Sequence, residues 1–271
     1  MANRNRLLVT LEGYAVEGGF DRMGEPMTCY SPTIALGRHA GPGNADGLWR
    51  DYETVLDLVP SLGVDGVRLT VEWARIEPRR GVIDEAALSR YGDVIRYARG
   101  LDLLVTVAII DAVWPSWLGL EAWILPWTVP HVLDHARRVV EVFGDQATGF
   151  LAFTQSSELV TRGFLTRKAP PWRESAVKDA AFAHAQIERV FSSLRDDELI
   201  GPRLVPSSAV TTLDVAAEDL AEARRSLDVE EIYVRSLLRG SGPTSVAQGL
   251  LVQHGSEWRI NAPAELLDAF R

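Results

Sequence analysis

The fold is decided by a run of eight residues, Leu103-Leu104-Val105-Thr106-Val107-Ala108-Ile109-Ile110, in which only the threonine is polar. A strand that is buried on both faces of a parallel sheet reads as a nearly continuous aliphatic run, because neither face meets water. The run therefore predicts an interior strand of a parallel sheet and places the chain in the α/β class.

Other short apolar runs lie on both sides of this strand and alternate with segments of helical periodicity. Strands are predicted at residues 7–11, 66–71, 103–110, 149–153, 199–205, 231–238 and 248–253. Helices are predicted at residues 85–99, 130–143, 175–194, 216–226 and 263–270. The 271 residues fit a barrel of eight strand–helix units, which typically needs about 250 residues. We predict a compact (β/α)8 TIM barrel forming one domain over 1–271, in which only 256–261 leave room for an eighth strand.

The composition is that of an acidic chain with a sizeable apolar core. The net charge of −9 and the pI of about 5.1 argue against nucleic acid or an anionic membrane as a partner, since both favour a basic surface. Cys29 is the only cysteine, so no internal disulfide can form. The apolar stretch at 7–11 is too short for a signal-peptide core or a membrane span. We expect a cytoplasmic protein with a small-molecule substrate, and the oligomeric state stays open.

The sequence lacks the common cofactor patterns. Gly13, Gly18 and Gly19 do not have the Gly-x-Gly-x-x-Gly spacing of a dinucleotide-binding turn. His131 and His135 are four residues apart, as zinc ligands on a helix can be, but the glutamate of the zinc-protease motif does not lie between them. We therefore predict solvent-facing or helix-capping histidines, no metal and no cofactor.

Four segments agree in order and spacing with one known family. They are Tyr-Ala-Val-Glu-Gly at 14–18, Gly-Val-Arg-Leu-Thr-Val-Glu-Trp-Ala-Arg-Ile-Glu-Pro at 66–78, Val-Thr-Val-Ala-Ile-Ile-Asp at 105–111 with Pro-Ser-Trp-Leu at 115–118, and Phe-Thr-Gln-Ser at 153–156. They resemble the Tyr-Gln-x-Glu-Gly, Arg-Phe-Ser-x-x-Trp-x-Arg-Ile-x-Pro, Thr-Leu-x-His-x-x-x-Pro-x-Trp-Leu and Trp-x-Thr-x-Asn-Glu-Pro motifs of family 1 of the glycoside hydrolases. The resemblance implies a β-glucosidase-like TIM barrel with its active site at the carboxyl ends of the strands.

Several departures from the family pattern fall on residues that serve its chemistry. The resemblance places Ala15, Asp111 and Thr154 where the family has the glutamine, histidine and asparagine that hold sugar hydroxyls. It places Gln155 where the acid/base glutamate stands, and Gln253, followed by His254, is the nearest match to the nucleophile. Retaining hydrolysis needs two carboxyl groups about 5–5.5 Å apart. We therefore interpret the chain as a shortened, degenerate member, a pseudoglycosidase.

Ionisable and polar residues near the predicted strand ends are the candidates for chemistry. The predicted proton carriers are Asp111, which ends an aliphatic strand and would have apolar walls around it, Glu72, which shares the parity of Arg68, and Glu158, three residues past Gln155. The predicted donors that polarise a substrate oxygen are Gln155, Arg68 and Tyr233. The predicted substrate-binding residues are Tyr14, Glu17, Trp114, Trp117, Trp123, Trp127, Thr154, Arg235, Gln253 and His254. Indole faces stack on sugars and equally on flat apolar ligands.

These residues leave three functions open. With its sugar clamps lost and its tryptophans kept, the barrel is expected to perform cofactor-free acid/base chemistry on a small hydrophobic metabolite, such as dehydration, conjugate addition or ring closure. Bacterial specialised metabolism would be a setting for it. The first alternative is a family 1 glycosidase restricted to activated or thio-linked glycosides. Plant thioglucosidases of the family also carry glutamine at the acid/base position, because their leaving group needs no proton. They still need the nucleophile, so this alternative requires that a glutamate from elsewhere takes its place. The second alternative is a non-catalytic small-molecule-binding barrel.

Overall fold

A computed structural model describes residues 6–154, 156–165, 169–172, 176–205, 251–254 and 257–260. The chain forms two compact units, Met1–Val205 and Pro206–Arg271. The single domain over 1–271 stays a prediction. So do the helices at 216–226 and 263–270 and the strand at 231–238, because these segments lie outside the described residues.

A four-stranded parallel sheet in the order β1-β2-β3-β4 is the centre of the first unit. Its strands are β1 (Leu8–Leu11), β2 (Gly66–Thr70), β3 (Leu104–Ile110) and β4 (Gly149–Phe153). The register pairs Val67 with Val105 and Val107 with Phe150. These four side chains are almost completely buried, and every residue of β3 after the first is buried. The prediction of a parallel α/β sheet with β3 in its interior is confirmed.

Helices connect the strands and cover the sheet. In chain order they are α1 (Gly13–Glu17), α2 (Ser31–Ala35), α3 (Tyr52–Asp57), α4 (Trp73–Ile76), α5 (Glu85–Gly100), α6 (Thr128–Phe143), α7 (Ser156–Val160) and α8 (Ala176–Asp196). Helix α5 begins where the Asp84 carboxylate accepts a hydrogen bond from the Ala87 N–H at 3.0 Å, which satisfies a backbone donor that the helix itself cannot pair. Helix α6 buries Val132, Ala136 and Val139 at helical spacing, so one face packs on the protein.

The predicted strand at 199–205 is mostly a turn. Gly201–Arg203 forms a 3-10 turn, and only Leu204 makes a parallel bridge, to Phe150 of β4. The Val205 N–H donates to the Phe150 carbonyl at 2.8 Å. Gly201 and Pro202 explain the difference, because proline lacks the N–H that a sheet ladder needs and both residues favour turns.

The second unit contains a two-stranded antiparallel sheet of β5 (Leu251–His254) and β6 (Glu257–Ile260). A strand is predicted at 248–253, and β5 overlaps the end of that range. The range 256–261 is the only room for an eighth strand, and β6 lies within it. Their assignment as successive barrel strands is wrong, because barrel strands run parallel. Two residues separate β5 from β6, which suffices for a hairpin, whereas a parallel connection needs a crossover of about a dozen residues or more.

Candidate active site

Asp111 follows β3 directly and is held in place by the two neighbouring strands. Its Oδ1 accepts hydrogen bonds from the Ala112 N–H at 2.7 Å and from the Thr154 hydroxyl. Its Oδ2 lies 3.5 Å from the Thr70 hydroxyl, a long contact. The residue is 6% exposed. Within the described residues Oδ1 is therefore occupied, while Oδ2 keeps the capacity to accept a hydrogen bond from a ligand.

One face of the sheet carries polar side chains, and we call it the polar face, defined by Thr10, Arg68 and Thr106. These three residues are register partners across β1, β2 and β3, so their side chains lie on the same face at the same level. Burial lowers the pKa of Arg68, while the charges of Asp111 and Glu12 act in the opposite direction. A partly buried cation thus lies on the polar face, and the charge of Asp111 acts on it.

Glu72 follows β2 and is buried, with 1% exposure. Its Oε1 accepts a hydrogen bond from the Tyr14 N–H at 2.7 Å. Burial raises its pKa well above the usual value, and the negative charges of Asp111 and Glu17 add to that effect. Gly13 makes the close approach possible, because a Cβ there would lie 2.4 Å from the Glu72 Cγ. The arrangement favours a protonated Glu72.

Glu17, a predicted substrate-binding residue, belongs to a buried network instead. Its Oε2 accepts a hydrogen bond from Arg75 Nε at 2.9 Å and its Oε1 accepts one from the Tyr91 hydroxyl at 2.8 Å. The Arg75 guanidinium also donates to the Gly18 carbonyl at 2.8 Å. The Tyr91 oxygen accepts from the Glu72 N–H at 3.0 Å. Both carboxylate oxygens are engaged, so Glu17 joins the loop after β1 to the end of β2.

Tyr14 lies beside Glu72 and forms one layer of an aromatic stack. Its ring stacks on Tyr30, with centroids 5.3 Å apart, and Tyr30 stacks on His39 at 4.8 Å. The Tyr14 hydroxyl donates to Asp21 Oδ2 at 2.7 Å. Burial and the neighbouring Asp21 carboxylate raise the pKa of Tyr14. Asp21 also accepts from the Thr28 N–H and hydroxyl at 2.7 and 2.8 Å, and it thereby fixes the loop that carries the stack.

The four tryptophans predicted to contact a substrate lie in different environments. Trp114 and Trp123 are almost fully buried and meet edge to face at 6.2 Å, so protein atoms occupy their faces. The Trp117 indole N–H donates to the Glu77 carbonyl at 2.8 Å, which ties the loop after β3 to α4. Trp127 is 53% exposed at the start of α6. Of the four, Trp127 has the most surface available for a ligand.

His135 of α6 differs from the expectation of a solvent-facing or capping side chain, whereas His131 is partly exposed. His135 is fully buried, stacks on Trp73 at 4.9 Å and lies 3.2 Å from the Ile109 carbonyl through Nε2. Burial lowers its pKa to about 3. His131 packs edge to face on Trp117 at 5.3 Å.

In the part of the chain that the structure describes, no group of three or more His, Cys, Asp or Glu side chains could hold a metal ion.

The remaining predicted site residues fall where side chains are not described. Gln155, Tyr233 and Arg235 lie outside the described residues. Glu158 lies in α7, and the residues Gln253 and His254 lie in β5, each described as backbone only. Gln155 follows Thr154 directly in the chain, and the Thr154 N–H donates to the Ile110 carbonyl at 3.1 Å. The structure thus brings Asp111, Thr70 and Thr154 together and leaves the roles of the other residues as predictions.

Sequence reasoning missed five residues that shape this region, Thr10, Thr106, Arg75, Tyr91 and Asp21. Thr10 and Thr106 could have been found from the period of two in a strand, since both share the parity that carries Arg68 to the polar face. The pairing of Arg75 with Glu17 spans 58 residues of sequence, and no local signal reports such a contact.

None of the described helices combines the length and apolarity that crossing a membrane would require.

Comparison with known proteins identifies the family. The model of "Glycosyl hydrolase family 1" matches residues 10–264. The chain is 23% identical over 176 residues to a 6-phospho-beta-galactosidase of Clostridium acetobutylicum, covering 61% of this chain and 36% of that protein. It is 27% identical over 170 residues to a coniferin beta-glucosidase of Pinus contorta, covering 60% and 33%. The match therefore spans about a third of the length of these relatives.

Solved structures show the same fold. The AHE enzyme from Alicyclobacillus herbarius superposes with a TM-score of 0.70 at 18% identity, covering 92% of this chain and 59% of that one. Aphid myrosinase superposes with a TM-score of 0.67 at 14% identity, covering 96% and 62%. The fold is that of the family's TIM barrel, and β1 to β4 are parallel as such a barrel requires. The chain belongs to glycosyl hydrolase family 1.

Proposed function

We propose that this protein binds β-glycosides at the carboxyl ends of β1–β4 and cleaves those whose leaving group departs without a proton. The observation that carries the proposal is the amide at Gln155, directly after Thr154 at the end of β4, where the family resemblance expects an acid/base glutamate. A neutral amide neither gives nor takes a proton near neutral pH. Membership of a glycosidase family supports a glycoside as the ligand.

The described residues suit the binding of sugar hydroxyls. Asp111 Oδ2 can accept a hydrogen bond from a hydroxyl, while Thr154 and Ala112 hold Oδ1 in place. In the cleavage step, the bond between the anomeric carbon and sulfur or oxygen breaks, and the leaving group keeps the electron pair as a thiolate or phenolate. Water supplies the new bond to carbon and loses a proton to the solvent, giving the free sugar, whereas azide, when it is added, attacks as an anion and gives the glycosyl azide. Acid assistance is unnecessary for such leaving groups, so Gln155 does not block the reaction.

Leaving-group dependence tests this proposal. We expect the purified protein to release dinitrophenol or an aryl thiolate from activated β-glycosides and to leave alkyl glucosides intact. Added azide is expected to raise turnover, because it attacks without base assistance. Replacing Gln155→Glu is expected to extend cleavage to poorer leaving groups, and Gln146→Glu, ahead of β4, is the matched control without that gain. Equal rates across the series, or no cleavage of any activated glycoside, would contradict the proposal.

A second candidate function is cofactor-free acid/base chemistry on a small hydrophobic metabolite. Buried Glu72 favours it, because burial and the nearby charge of Asp111 raise the pKa of Glu72 and keep a proton available. Asp111, Glu72 and Glu158 would carry protons in a dehydration, addition or cyclisation, and Gln155, Arg68 and Tyr233 would polarise an oxygen.

Amide substitutions and ligand titrations separate this candidate from simple binding. Single changes of Asp111, Glu72 and Glu158 to their amides should abolish at least one substrate conversion if they carry protons. Unchanged conversion in all three variants would favour a non-catalytic binding barrel. A titration that follows tryptophan fluorescence, with Trp127 as the exposed reporter, compares polycyclic ligands with glucose. Tight binding of glucose alone would exclude the hydrophobic guest.

A further inference from the structure

Two buried polar atoms on the polar face have no hydrogen-bond partner in the described structure. They are Arg68 Nε and Thr10 Oγ1. Leaving a buried donor unpaired is destabilising, and buried polar atoms are usually satisfied. The two residues are register partners on adjacent strands. Two unsatisfied atoms next to each other in one sheet point to a shared partner that comes from outside the described residues.

The chemistry of the two atoms limits what that partner is. The guanidinium nitrogen of Arg68 can only donate a hydrogen bond, and the Thr10 hydroxyl can donate one as well. Thr106, the next register partner along the row, adds a further hydroxyl at the same level. The unpaired Arg68 Nε needs an acceptor, and the Thr10 hydroxyl can donate to the same acceptor.

The charge of the site favours an anionic acceptor. Arg68 forms no ion pair with any described carboxylate, although Asp111 and Glu12 influence its pKa. Burial lowers that pKa, which shows that the guanidinium is desolvated without full compensation by a neighbouring charge. Arginine presents a planar fork of donors that matches the two oxygens of a carboxylate.

We propose that Thr10, Arg68 and Thr106 form a binding site for an oxyanion, namely the carboxylate of a small organic ligand. The Arg68 guanidinium donates hydrogen bonds to both oxygens of the carboxylate, and the Thr10 hydroxyl donates to one of them. The carboxylate of Asp111, whose charge acts on Arg68, selects against a second negative charge on the ligand. This property goes beyond the proposed glycoside cleavage, because a neutral glycoside has no group that requires it.

Anion-dependent stability tests the site with the full-length protein. We expect sodium acetate to raise the thermal unfolding midpoint relative to sodium chloride at the same ionic strength, since a ligand that binds the folded state stabilises it. Arg68→Met is expected to abolish the acetate-dependent rise, and Arg68→Lys to weaken it. Thr10→Val should reduce acetate affinity by about fivefold, the effect of one hydrogen bond. Arg96→Met, which removes an exposed arginine paired with Asp93, should leave the acetate response unchanged.

Two sources of the carboxylate are separated by a second pair of probes. Tighter binding of a nitrophenyl β-glucuronide than of acetate or of the matching glucoside would assign the site to an acidic sugar. Equal binding of glucuronide and acetate, with none of glucoside, would assign it to a free carboxylate. Absence of any acetate response in the wild type, or the same response in Arg68→Met, overturns the proposal. Cleavage of activated glycosides without carboxylate binding would remove this inference alone, and carboxylate binding without cleavage would remove the proposed function alone.

Discussion

Arg75 and Arg68 lie seven residues apart and are treated in opposite ways by the fold. Arg75 is 3% exposed, pairs with Glu17, donates to the Gly18 carbonyl and lies between the rings of Phe20 and Trp49 at 4.1 and 3.9 Å. Arg68 is partly buried, and its Nε has no hydrogen-bond partner in the described structure. A satisfied buried charge belongs to the scaffold. A charge without a partner marks a place where a ligand is expected.

The largest expected effect is the loss of stability when Arg75, the arginine with hydrogen-bond and ion-pair partners, is replaced. Arg75→Met leaves the buried Glu17 carboxylate without its ion-pair partner, which should lower the free energy of unfolding by about 3–5 kcal/mol. Urea denaturation followed by far-UV circular dichroism measures it. The double variant Arg75→Met/Glu17→Gln should lose less than the sum of the two single losses, because the charges are removed together. A loss below 1 kcal/mol in Arg75→Met would contradict a structural role.

His135 is an intermediate case, with Nε2 beside the Ile109 carbonyl and Nδ1 unpaired among the described residues. Its folded pKa of about 3 lies below the ordinary 6.5, so the unfolded chain binds the extra proton first as pH falls. The stability advantage of the wild type over His135→Gln should therefore shrink by about 2 kcal/mol between pH 6.5 and 5, at about 1.4 kcal/mol per pH unit. Urea unfolding of both proteins at the two pH values measures it. A constant difference would show that His135 is not buried in the neutral form.

Tyr91 is the uncharged side chain in the buried hydrogen-bond network that joins Glu17, Arg75 and the Glu72 N–H. Tyr91→Phe removes the hydroxyl that donates to Glu17 and accepts from the Glu72 N–H, and the expected loss is about 1–3 kcal/mol because both partners stay buried. Tyr97→Phe is the matched control, since that hydroxyl contacts only an exposed Asp57, and its loss should stay near 0.5 kcal/mol. Thermal unfolding measures both losses. Equal losses in the two variants would contradict a stabilising role for the hydrogen bonds between Tyr91, Glu17 and Glu72.

The smallest expected effect on stability comes from replacing Arg68, whose Nε has no hydrogen-bond partner in the described structure. Arg68→Met removes a partly buried charge that has no described ion-pair partner, so the free energy of unfolding without added anion should change by less than about 1 kcal/mol or rise slightly. Replacement by methionine is thus expected to lower the free energy of unfolding strongly at Arg75 and hardly at Arg68. Urea denaturation in chloride alone makes the comparison, and a loss in Arg68→Met as large as that in Arg75→Met would show that Arg68 is part of the scaffold.

Much of the first unit could be predicted from local signals. The aliphatic run of β3, the alternation in β2 and the amphipathic pattern of α6 depend on burial, which a sequence displays through its periodicity. The strand at 199–205 could not be separated from a turn, because Gly201 and Pro202 interrupt an otherwise apolar segment. The hairpin of β5 and β6 was misassigned because strand direction depends on the connection between strands, and apolar content says nothing about direction.

The sequence by itself determined the α/β class, the family and the amide at Gln155, because each of these is a property of residue type and order. Only the tertiary structure decided that Glu17 supports the scaffold, that Trp114 and Trp123 are core residues, and that Arg68 lies beside Thr10 without a described acceptor. The reason is physical: a charge or an indole acquires its role from the groups that surround it in space, and those groups come from strands and helices far apart in the chain.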